Sequence, residues 1–158
     1  MAGREPSVLR APGSPGVHDD QSVPLTRALP TAEAILRVVM AKILMSGSDW
    51  TSRALLRAQL IEEGFDVEAY EGVEELVRML WASKAMPDLV IADLFEVAHP
   101  AEDVVMLSRW TKLAPIWVLA GHGSAEAESL DGRGFERVLY RPLEIGKLVQ
   151  EVKQRLAG

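Results

Sequence analysis

From residue 42 to residue 156 the chain repeats one unit five times, a short apolar run followed by apolar residues at helical spacing. Parallel strands cannot be joined by tight turns and need a crossover, usually a helix. The repeat therefore predicts a mostly parallel sheet built from successive strand–helix units, with helices packed on its faces.

Ile43, Leu44 and Met45 form the first predicted strand. The first helix runs from about Asp49, suited to the N-cap, to Glu63, with Leu55, Leu56, Leu60 and Ile61 directed inward and Gly64 ending it. Residues 67–70 make a short, more polar strand suited to a sheet edge, and Val73, Leu76, Val77 and Leu80 mark the inner face of the second helix, which Trp81 extends. Leu89, Val90, Ile91 and Ala92 form an unbroken apolar run, as expected of a central strand covered on both sides, and it ends at Asp93. A third helix is predicted over residues 101–112, with Val104, Val105 and Leu107 inward, and a fourth strand over 116–120. Residues 121–134 hold four glycines and one large aliphatic residue, Leu130, so the helix expected there is short or frayed. Residues 138–140 are the fifth strand, and a closing helix over 144–156 turns Leu148, Val149, Val152 and Leu156 inward.

A chain of 158 residues accommodates one such domain with a tail. Residues 1–30 are rich in Pro, Gly, Ser, Ala and Arg without apolar periodicity, and Ala32 to Val39 form a short apolar stretch open to reading as a helix or an added strand, so residues 1–39 form the extension ahead of the folded pattern. They read as a disordered segment, or as an upstream extension of a protein whose initiator is Met40, leaving residues 40–158 as the domain. A formal charge of -6 argues against binding the phosphate backbone of nucleic acid, which calls for clustered Lys and Arg. The absence of cysteine excludes disulfides, thiolate metal sites and cysteine nucleophiles. No apolar run reaches the length of a membrane span or the core of a signal peptide, so no membrane contact is expected and the cytoplasm is the expected compartment.

Open parallel sheets gather ligands at the carboxyl ends of their strands, which directs attention to residues 46–49, Asp93, residues 120–123 and Arg141-Pro142. A carboxylate ending a central strand, with a basic residue and proline after the fifth, resembles the receiver domain of two-component signalling. The resemblance covers residues 42–158 and rests on the run from Pro87 through Asp93 to Leu94, on Pro115 to Leu119, and on Gly134 to Pro142. It implies a flavodoxin-like doubly wound α/β fold, three layers α/β/α around a five-stranded parallel sheet in the order 2-1-3-4-5.

By that resemblance Asp93 stands where the family accepts phosphate. The two acidic residues that hold magnesium in the family are replaced by Gly47 and Ser48, which offer a hard dication little, with Asp49 one position late as a substitute. The family's switch hydroxyl is replaced by Ala120, its lysine by Arg141 ahead of Pro142, and its rotating aromatic by Val138. The peptide before Pro142 is expected to be cis. Neither magnesium nor any other cofactor is expected, and no catalytic residue is assigned.

His99 and His122 fall in predicted loops, with no other ligand at metal spacing, and read as solvated side chains. Trp117 reads as core, whereas Trp50 and Trp110 are less readily buried. The glutamates between residues 62 and 75 read as a solvated face. No output domain fits in the chain, so the expectation is a stand-alone, non-enzymatic pseudo-receiver. Its partners would be signalling proteins or a second copy, met through the face of the fourth helix, fifth strand and closing helix. Two alternatives stay open: a working phosphoacceptor at Asp93 with a degenerate metal site, and a flavodoxin-like domain that binds or transforms a small ligand in the strand-end crevice.

Overall fold

The computed structural model describes residues 40–121 and 130–157, so Met1–Val39 and residues 122–129, the middle of the segment expected to hold the short fourth helix, lie outside the described residues. Five parallel strands form one sheet: β1 (Lys42–Ser46), β2 (Asp66–Tyr70), β3 (Leu89–Asp93), β4 (Ile116–Gly121) and β5 (Arg137–Arg141), in the order β2-β1-β3-β4-β5. The described helices are α1 (Trp50–Glu62), α2 (Val73–Ala82), α3 (Pro100–Ser108) and α4 (Ile145–Ala157). The doubly wound fold implied by the resemblance is the fold observed.

Side chains of a strand alternate between its faces, and the two halves of the core follow that alternation. Ile43, Met45, Ile91, Trp117 and Leu119 pack with Leu56 and Leu60 of α1 and Leu148, Val149 and Val152 of α4. Leu44, Val90, Ala92, Val118 and Ala120 face the other way, toward Leu76 and Leu80 of α2 and Val104 and Leu107 of α3. β1, β3 and β4 are thus covered on both sides, which is why they read as unbroken apolar runs. β2 at one edge buries only Val67, and β5 at the other is half-buried throughout.

Several helix positions differ from expectation. Leu55 and Ile61 are exposed, because Leu56 and Leu60 alone span the inner stripe of α1 and their chain neighbours point about 100° away. Val105 is exposed for the same reason on α3, which ends at Ser108 rather than near residue 112. Trp81 does not extend the buried face of α2; it is 77% exposed and meets Trp110 edge-on, ring centroids 5.1 Å apart. Trp110 is buried instead, because the turns after α3 fold its ring back onto the α2–α3 layer.

Trp117 is core as expected, and its Nε1 donates to Glu136 at 2.8 Å. The Arg137 guanidinium stands over its ring at 4.8 Å, and Arg155 of α4 donates twice to the same Glu136 carboxylate, each at 2.8 Å. This cluster ties α4 to the β4–β5 edge. The Arg155 bonds, above all, hold the Glu136 carboxyl below its ordinary value, with the Trp117 bond acting in the same direction.

Candidate functional site at the carboxyl end of the sheet

Pairing of Asp93 with Leu119, and of Leu119 with Leu139, places Asp93 and the end of β5 on either side of β4. Alternation turns Asp93 and Arg141 toward the α1–α4 layer. There the Arg141 Nη2 donates to Asp93 Oδ2, while Asp93 Oδ1 accepts the Phe95 backbone N–H at 3.0 Å. The Arg141 guanidinium also covers the Phe95 ring, 4.4 Å from its centroid. Glu96, next in the loop, takes a left-handed φ of 58°, a conformation that costs a non-glycine residue about 1 kcal/mol.

Burial raises the Asp93 pKa above its ordinary value, against the opposing pull of the Phe95 N–H and Arg141. Withdrawal of the carboxylate from water therefore outweighs the attraction of its partners. The Arg141 Nε is buried without a hydrogen-bond partner among the described residues.

The residues at the end of β1 are brought beside this pair. Gly47 lies against Asp93, close enough that a Cβ added to it would sit 3.4 Å from Asp93 Cβ, an ordinary contact. Its carbonyl accepts from Arg53 Nη1 of α1 at 2.5 Å. Ser48 is exposed and its hydroxyl donates to the Phe95 carbonyl at 2.8 Å. Asp49 caps α1 as expected, accepting the Ser52 N–H at 3.4 Å and the Ser52 hydroxyl at 2.6 Å. That hydroxyl bond is the main reason its carboxyl sits below its ordinary value.

The other predicted positions are less closely engaged. Ala120 is buried on the α2–α3 side, and Val138 is half-buried against the same layer. The Arg141–Pro142 peptide is cis. His99 occupies the N-cap position of α3 without a side-chain cap bond, and it does not line the cavity beside Asp93. His122 and Gly123 lie outside the described residues. Among the described residues no three His, Asp or Glu side chains gather as metal ligands. No described helix is long and apolar enough to cross a membrane.

Arg53 was not singled out from the sequence. A lone arginine on an amphipathic helix carries no local signal, and only its place in the first turns of α1, facing the end of β1, makes it part of the site.

No family model matches the sequence, and no curated protein matches it. Solved structures do. A CheY-like response regulator receiver domain protein from Methanospirillum hungatei is 19% identical, with a TM-score of 0.63 over 75% of this chain and 94% of its own. A response regulator receiver domain protein from Clostridium thermocellum is 20% identical, with a TM-score of 0.61 over 75% and 95%. The receiver domain of the Francisella response regulator 1452 is 18% identical, with a TM-score of 0.60 over 74% and 97%. At these identities the likeness is one of fold: the chain has the fold of response-regulator receiver domains.

Proposed function

We propose that this chain, built on the receiver fold, is a module of two-component signal transduction that acts by protein contacts and not by magnesium-dependent phosphorylation of Asp93. The supporting observation is the engagement of Asp93 by Arg141, with neighbouring oxygens also occupied: Ser48 donates to the Phe95 carbonyl and Arg53 to the Gly47 carbonyl. A magnesium ion beside Asp93 does not fit this set. It needs several anionic or carbonyl oxygens, and here the nearest ones face guanidinium and hydroxyl donors. Asp49, the substitute ligand, spends its carboxylate on the cap of α1.

Phosphoryl transfer to a carboxylate depends on cations and positioned donors that neutralise the transferring group. A lone carboxylate already paired with an arginine meets an anionic donor without the metal, so no enzymatic role is assigned. Partner proteins or a second copy supply the output, in the cytoplasm.

Incubation of the full chain with acetyl phosphate and Mg²⁺, followed by intact mass measurement, tests the reading. No phosphoryl adduct is expected. A stoichiometric gain of one phosphoryl group that vanishes in Asp93→Asn overturns it.

A further inference from the structure

Between α1 and α4, at the carboxyl ends of β1, β3, β4 and β5, lies a cavity of about 100 Å³. Its apolar lining includes Leu56, Ile91, Leu119, Leu143, Ile145 and Leu148, and its charged lining is Arg53, Asp93 and Arg141. From these we infer that the cavity binds a small monocarboxylate, a short-chain fatty acid or a close relative, with its hydrocarbon body in the apolar part and its carboxylate at the two arginines.

Charge selects the sign of the ligand. Two guanidinium groups face one carboxylate, leaving a net of one positive charge on the lining. Hydrogen-bond supply agrees with it. Among the described residues Arg53 bonds only the Gly47 carbonyl, although a guanidinium carries five N–H donors, and the Arg141 Nε–H, closed to solvent in this rotamer, has no partner among them. Paired N–H donors in a planar fork match the two oxygens of a carboxylate. The cavity thus presents donors in excess of acceptors, which disfavours cations and leaves a neutral hydrocarbon without use for them.

The apolar lining selects the rest. Inorganic phosphate would leave six aliphatic side chains facing it with nothing apolar to cover. A cavity of 150 Å³ lined by aliphatic residues holds benzene, so one of about 100 Å³ suits a body of about four non-hydrogen atoms. With the carboxylate at the arginines, a body of about four carbons corresponds to pentanoate, with butanoate and hexanoate on either side. A phosphoryl group on Asp93 would remove the net positive charge of the lining, so acid binding belongs to the unmodified chain.

The experiment is a calorimetric titration of the full chain with the straight-chain series from formate to octanoate, alongside the matching primary amides. Affinity is expected to rise to a maximum at about four to six carbons and fall at least tenfold by octanoate. The amides are expected to bind at least tenfold more weakly than the acids. Arg53→Met, at a half-exposed position, is expected to lower acid affinity tenfold or more, and Ile145→Trp to abolish binding by filling the cavity. Absence of heat with any acid overturns the inference, as does equal binding of acids and amides, monotonic tightening through octanoate, or unchanged affinity in Arg53→Met. Should Ile145→Trp fail to fold, the chain-length profile and Arg53→Met decide alone.

Discussion

Arg141 and Asp93 meet across an intervening strand: one ends β5, the other ends β3, and their side chains join over Leu119 of β4. Desolvation dominates the carboxyl's energetics in this pair, so the two partners are not equivalent. Arg141→Met leaves Asp93 withdrawn from water with only the Phe95 N–H, and is expected to cost about 2 kcal/mol. Asp93→Asn removes the charge to desolvate but keeps one acceptor oxygen, so its NH2 faces either the Phe95 N–H or Arg141, and it is expected to cost about 1 kcal/mol, less than Arg141→Met. Urea unfolding of the two variants at neutral pH measures the asymmetry.

The same pair sets a pH dependence. Because the folded-state pKa of Asp93 lies above the ordinary value of 3.8, the native protein binds this proton more tightly than the unfolded chain. Its contribution is fully present below 3.8 and is lost as pH rises through the folded-state value. Relative to Asp93→Asn, the parent is therefore expected to gain stability on acidification. Glu136 runs the other way. Its lowered pKa gives stability that is present above the ordinary 4.5 and lost as pH falls through the folded-state value. The parent's advantage over Glu136→Gln is expected to be below about 1 kcal/mol, given the solvent around Arg155, and to disappear in acid. Unfolding midpoints of the three proteins between neutral pH and the acid limit of folding read both signs.

Restoring oxygen ligands at the end of β1 should restore metal affinity. Space permits it, since a Cβ on Gly47 makes only an ordinary contact with Asp93. The Gly47→Asp, Ser48→Asp double variant is expected to bind Mg²⁺ in a calorimetric titration where the parent gives no heat. The gain is expected to vanish when Asp93→Asn is added. Equal Mg²⁺ binding by the parent would contradict the expectation.

Two glycines before β5 separate backbone strain from crowding. Gly132 has φ of 72° with nothing within 4 Å of an added Cβ, so Gly132→Ala is expected to cost about 1–2 kcal/mol from conformation alone. Gly134 has φ of 91°, and its added Cβ would come within 2.8 Å of Thr111 Oγ1. Gly134→Ala should cost at least about 1 kcal/mol more than Gly132→Ala, with Thr111→Ala recovering part of the excess.

The sheet was legible because burial on both faces leaves the middles of β1, β3 and β4 without polar residues, and an unbroken apolar run ended by Asp93 carries that information locally. Helix faces were legible only in outline. Leu55 beside Leu56, and Ile61 beside Leu60, are chemically alike, and only packing against β1 decides which of each pair turns inward. The positions of the site, Gly47, Ser48, Asp93 and Arg141, followed from the receiver resemblance, but the bonds among them did not. Whether Arg141 reaches Asp93 or water, and whether Arg53 belongs at all, depends on side-chain geometry across elements far apart in sequence.

Trp117 carries one more consequence. With its indole buried, its Nε1 on the Glu136 carboxylate and a guanidinium over its face, it lies in a fixed local electric field at the β4–β5 edge. Trp50 and Trp81 are open to solvent, at 69% and 77% exposure. A dissolved quencher reaches those two indoles and neither Trp117 nor the buried Trp110, so in Trp110→Phe the emission that survives quenching follows the β4–β5 edge and the docking of α4 without any added label.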